Sequence, residues 1–157
     1  MKLRRGGASA RDKTMPRGEP KESPAFPALS KRAARRLIQR AWVLVGRDRT
    51  IRQHLREASL SMLWVLEDWD LEWTVVLDRG CLEFYRGRVG KPQATFRRPT
   101  AAEFFAEIET WSAAKNPPRF VGDPVWRKLI EPVFTQFAAS LRSVVANPID
   151  DDGVKIL

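Results

Sequence analysis

The stretch LEWTVVLDRGCLEFYRG, Leu71 to Gly87, constrains this chain more than any other. Successive side chains of a strand point to opposite faces. Leu71, Trp73, Val75 and Leu77 therefore share one face, and Glu72, Thr74, Val76 and Asp78 the other. Asp78-Arg79-Gly80 supplies a tight turn, after which Leu82 and Phe84 continue against Glu83 and Tyr85. A two-stranded ribbon is marginal in water. So apolar a face needs a cover, either a solid core or a core with room for a guest.

The flanking segments supply that cover. SKRAARRLIQRAWVLVG opens on Ser30, a good N-cap, and reaches Gly46, a good stop. Ala34, Leu37, Ile38, Ala41, Trp42 and Val45 make its apolar face, and Arg32, Arg36 and Arg40 lie opposite. A second helix is expected from Asp48 to about Ala58. LSMLWVLEDWD, Leu60–Asp70, is continuous and apolar and reads as a strand ahead of the hairpin, the end of the preceding helix being the alternative. QATFRR, Gln93–Arg98, reads as the next strand, so the order predicts an antiparallel meander. Thr100 and Glu103 form a capping box for a helix burying Phe104, Phe105, Ile108 and Trp111. Ser112–Val121 reads as a loop, with Arg119–Val121 long enough for a short edge strand. Asp123 caps the last helix with Pro124 in its first position. Its apolar face carries Trp126, Ile130, Val133, Phe134 and Phe137, and Pro132 is expected to kink or split it. Helix, helix, strands, helix, helix is the α+β solution, a sheet with helices on one face.

Charge is unevenly placed. Residues 1–56 carry 16 Lys or Arg against four acids, whereas residues 57–157 carry 12 against 15. Residues 1–29, with four Pro and three Gly, bury too little to offset their ordering entropy and read as a flexible basic tail. Residues 30–58 form the basic amphipathic helices, 59–147 the α+β domain, and 148–157 an acidic, loose end. An anionic membrane or an acidic protein is the expected contact of the basic third, through Arg32, Arg36 and Arg40.

Enzymatic chemistry finds no footing. His54, the only histidine, sits on a basic helix with no triad around it. Cys81, the only cysteine, has no second ligand at metal spacing. It also precludes an intramolecular disulfide, which fits a reducing, cytoplasmic setting. Asp150, Asp151 and Asp152 read as solvated. There is no phosphate-cradling glycine motif and no apolar run long enough to span a membrane. No cofactor and no metal are expected.

The segments from about Leu60 to Leu141, in this order, resemble the sterol-carrier-protein-type lipid-binding domain. The matching pieces are the Trp-bearing strand LEWTVVL, the turn DRG, the strand CLEFYRG, the Pro-led PQATF, the capped helix PTAAEFFAEI, and the step RFVGDPVW into a terminal helix. The resemblance implies a twisted, mainly antiparallel sheet of about five strands covered by helices, with an apolar tunnel or groove between them. Trp73 and Val75 would lie on the sheet wall and Phe104, Phe105 and Ile108 at its side. Trp126, Ile130, Val133 and Phe134 would close it. The implied guest is a lipid, sterol, acyl or isoprenoid chain, held without catalysis. Some bacterial members of that family hold prenylated intermediates of quinone biosynthesis. The segment before the terminal helix is shorter here and contains Pro117 and Pro118. Two other readings use the basic third: a nucleic-acid-binding module, which the acidic second half disfavours, and a protein scaffold.

Overall fold

The computed structural model describes residues 29–111 and 118–156. Apart from Leu29, the expected basic tail lies outside these residues, as does most of the loop after Trp111.

Helix α1 (Lys31–Arg47) starts where the Ser30 hydroxyl accepts from the Ala33 N–H at 3.1 Å. It runs through Gly46, which the sequence marks as a stop. The reason lies in the neighbouring strand β3 (Cys81–Arg86): a Cβ on Gly46 would sit 3.3 Å from the Leu82 Cβ. The glycine brings helix and strand together. Asp48 ends α1 and caps α2 (Arg49–His54), accepting from the Ile51 N–H at 2.9 Å. The second helix is thus shorter than expected.

Strands β1 (Ser59–Leu66), β2 (Leu71–Asp78), β3, β4 (Ala94–Arg98) and β5 (Val121–Gly122) form one open sheet in the order β3-β2-β1-β4-β5. A 3-10 turn at Glu67–Trp69 joins β1 to β2. Arg79 and Gly80, both at positive φ, make the two-residue turn between β2 and β3. Trp64 stands directly opposite Trp73, and Met62 opposite Val75. The expected meander ends at β3. β4 does not pair with β3 but runs parallel to β1, on the far side of the hairpin. The sheet is therefore mixed. Residues 87–93 make the crossover, and buried Thr74 holds it: its hydroxyl donates to the Gly87 carbonyl at 2.7 Å and accepts from the Val89 N–H at 3.0 Å. Because Thr74 faces away from Trp73, the crossover passes over the sheet face opposite the helices.

Helix α3 (Ala101–Thr110) is capped by Thr100, whose hydroxyl accepts from the Glu103 N–H at 3.0 Å. Asp68 adds a second cap, accepting from the Ala101 N–H at 2.9 Å. At Asp123 the chain enters a 3-10 turn (Pro124–Trp126) and then α4 (Arg127–Ala146). Pro132 does not split α4, although an internal proline costs about 3 kcal/mol. Burial of Ile130, Val133, Phe134 and Phe137 around it outweighs that loss. α1, α3 and α4 cover one face of the sheet, giving an α+β fold.

Candidate functional site

The interior between the sheet and its helices is aromatic and centred on Trp64. This indole stacks on Phe96 at 4.1 Å between centroids and lies 5.8 Å from Trp73 and 5.7 Å from Trp42. Trp42 stacks in turn on Phe137 at 4.2 Å. Of the expected cavity residues, Trp73, Val75, Phe104, Phe105, Ile108, Ile130, Val133 and Phe134 are buried in this one cluster. Trp126 is half-buried at its margin. The rings touch one another where an open tunnel would run.

One property of this interior is chemically unusual. Among the described residues, the indole N–H groups of Trp42, Trp64 and Trp73 are buried without an acceptor. Trp111, by contrast, donates to the Thr135 hydroxyl at 3.1 Å. A buried donor left unpaired costs about 1–3 kcal/mol, and such groups are few in native proteins. Several edge-on ring contacts surround the three, including Trp42 to Trp64 and Trp73 to Phe104. N–H to ring contacts recover only part of a hydrogen bond.

The basic stripe expected at Arg32, Arg36 and Arg40 divides in the structure. Arg32 is exposed. Arg36 donates to the Ile156 carbonyl at 3.2 Å. Arg40, with 15% of its side chain exposed, pairs with Asp151 at 2.8 Å, and Arg47 pairs with the same carboxylate. The segment after α4, expected to be loose, folds back here through an Ile149–Lys155 bridge, and Ile156 packs on the core. Hydrogen bonds from Arg47 and then Arg40 hold the Asp151 carboxyl well below the usual carboxylate range.

Further arginines gather elsewhere, of which Arg79 pairs with Asp78 at 3.5 Å. Arg49, Arg52, Arg56 and Arg79 line a cleft of about 520 Å³ with Gln53, Gly80 and Cys81. A second cleft, of about 440 Å³, is lined by Lys31, Arg32, Arg35, Arg36 and Arg86. The reading from sequence missed Arg35 and Arg86. Arg35 falls off the 32-36-40 line, and Arg86 reaches it only through the packing of β3 under α1. His54 is exposed, its Nε2 lying 3.2 Å from the Leu129 carbonyl, and Cys81 is exposed on β3. Among the described residues there is no cluster of metal-ligating side chains, and no helix is long and apolar enough to cross a membrane.

No family model and no curated protein matches the chain. Among solved structures, it is similar to the stereoselective inverting sec-alkylsulfatase Pisa1 from Pseudomonas sp., with a TM-score of 0.40 and 19% identity over 54% of this chain. A double mutant of that sulfatase gives a TM-score of 0.38 and 21% identity over the same 54%. The matched region spans only 14% of either sulfatase chain.

Proposed function

We propose that this chain is a non-catalytic lipid-binding domain of the sterol-carrier kind, taking an apolar chain between its sheet and helices. The observation that carries the reading is the set of three buried indole donors without acceptors among the described residues of a mostly apolar interior. A guest with an ester, carbonyl or hydroxyl oxygen would pair such donors while its chain replaced ring contacts. Desolvation of that chain supplies about 25 cal/mol per Å² of apolar surface, before association costs. Because the rings now meet, loading requires them to part. The guest-free state is therefore the closed one, and affinity is lowered by the work of opening. The exposed lone cysteine accords with a reducing compartment, and we place the domain in the cytoplasm.

Native mass spectrometry followed by organic extraction tests this reading. A discrete lipophilic adduct is expected, lost in a Phe105→Arg variant that keeps its circular dichroism spectrum. A bare mass, with no uptake of added fatty acid, sterol or isoprenoid, would remove the proposal.

The cleft of Arg49, Arg52, Arg56 and Arg79 supports a second reading, binding to a nucleic-acid backbone. Counterion release would then make affinity fall steeply with salt, by about 0.9 log units per log unit of salt for each phosphate neutralised on duplex DNA. Affinity for DNA or RNA that is weak and flat in salt would dismiss it.

A further inference from the structure

The mouth of the interior can be located from three concavities that share two side chains. Arg35 of α1 and Arg86 of β3 line the basic cleft of about 440 Å³. They also line an adjoining cleft of about 360 Å³ with Asp70, Leu71, Glu72 and Gly87. Between these clefts and the core lies a cavity of about 10 Å³, again bounded by Arg35 and Arg86, together with Ile38, Leu71, Glu72, Trp73 and Phe84. That volume is at the lower limit for one water. It is a closed throat with a charged rim and a mostly apolar floor.

The floor includes Trp73, whose N–H is one of the three without an acceptor, and Arg86 is its direct cross-strand partner. Among the described residues, neither Arg35 nor Arg86 has an ion-pair partner, whereas the nearby Glu72 holds Arg88 at 3.7 Å. One wall of the throat is β3, the edge of the sheet, with Phe84 only half-buried. An edge strand is held by one neighbour and yields more readily than an inner one.

We propose that this throat is the point of access, and that it selects a single-chain amphiphile with an anionic oxygen head, a carboxylate or a phosphate. Arg35 and Arg86 hold the head at the rim. The chain passes Ile38, Leu71 and Phe84 toward Trp73. Guanidinium forks suit both head groups, because they offer paired donors to two oxygens. This inference rests on the lipid-binding reading and adds where the guest enters and which head it carries.

The test uses the full chain with palmitic acid, hexadecyl phosphate and hexadecanol, each titrated below the concentration at which it aggregates or separates and followed by tryptophan fluorescence. Both anionic ligands are expected to bind at least about tenfold more tightly than the alcohol. The Arg35→Gln, Arg86→Gln double variant should lose that advantage and keep its affinity for the alcohol. The side of the anionic pair that binds better identifies the head. Equal binding of all three ligands, unchanged in the double variant, would overturn the mouth and leave the carrier reading standing. Binding of none would overturn both.

Discussion

Arg98 lies on the helix-facing side of β4 and is only 3% exposed, so its charge needs full internal compensation. Glu107 of α3 supplies it through a two-pronged contact, Nε to Oε1 at 2.7 Å and Nη2 to Oε2 at 3.0 Å. The same guanidinium donates to the carbonyls of Arg97 and Arg119, so one side chain ties β4, α3 and the approach to β5. Removing it leaves a largely buried carboxylate with only the exposed Arg119 beside it, at 3.6 Å. Arg98→Ala should cost roughly 3 kcal/mol by chemical denaturation, and Arg98→Ala with Glu107→Ala less than the sum of the two single variants. Additive losses would show that the pair does not act as a unit. Gly122 is a second single-residue constraint. A Cβ there would lie 2.4 Å from the Gln93 carbonyl oxygen, where β5 meets β4, and backbone cannot rotate aside as a side chain can. Gly122→Ala is expected to cost about 1–3 kcal/mol and to detach β5, seen as faster amide exchange at Thr95 and Val121. Wild-type exchange at both amides would refute this.

At the scale of elements, the turn after α4 acts as a clasp on α1. Asp151 pairs Arg40 and Arg47, while Asp150 accepts from the Asp152 and Val154 N–H groups and shapes the turn. A carboxyl whose folded pKa is depressed binds protons less readily folded than unfolded. Its stabilisation is therefore complete above the ordinary aspartate value near 3.8 and is lost only as pH falls through the lower folded value. Amides of residues 152–156 should stay protected through mildly acidic pH in the wild type. In Asp151→Asn they should exchange faster even at neutral pH, and equal exchange in the two proteins would refute the clasp. The strand faces, the caps at Ser30, Thr100 and Asp123, and the buried stripes were legible in sequence because each is a local pattern. The place of β4 was not. Ala94 and Phe96 bury the same face whether β4 pairs with β3 or with β1, so periodicity cannot choose between them. The choice rests on contacts across the fold, above all Thr74 holding residues 87–89, and Gln93 exchanging bonds with the Ser61 backbone at 2.8 Å. The buried faces of β2 and α3 around the candidate site were likewise legible from spacing, but Trp64 at its centre was not, because β1 is apolar on both faces there. The charged rim of the site was not, because Arg35 and Arg86 meet only through the packing of α1 over β3.

Over the whole molecule, aromatic packing and unpaired donors pull in opposite directions. The stacks of Trp64 on Phe96 and of Trp42 on Phe137 stabilise the closed interior, and each such pair contributes about 0.5–1.5 kcal/mol beyond area burial. The three unpaired indoles offset part of that gain. A guest that satisfied a donor and restored the lost apolar contact would favour the folded state alone, since the unfolded chain has no interior. Mass action then raises stability by about 2.7 kcal/mol at a hundredfold excess over Kd. For a domain of this size that is a rise in Tm of roughly 5–10 °C, growing with the logarithm of ligand concentration. Scanning calorimetry across a series of chain lengths is the appropriate measurement. The rise should increase with each added methylene until the interior is full and then level off. A ligand confined to the basic clefts would instead give a shift independent of chain length and abolished by salt, because exposed charges are screened within about a Debye length. A salt-resistant, chain-length-dependent rise places the guest inside, and the opposite pattern confines it to the arginine surface.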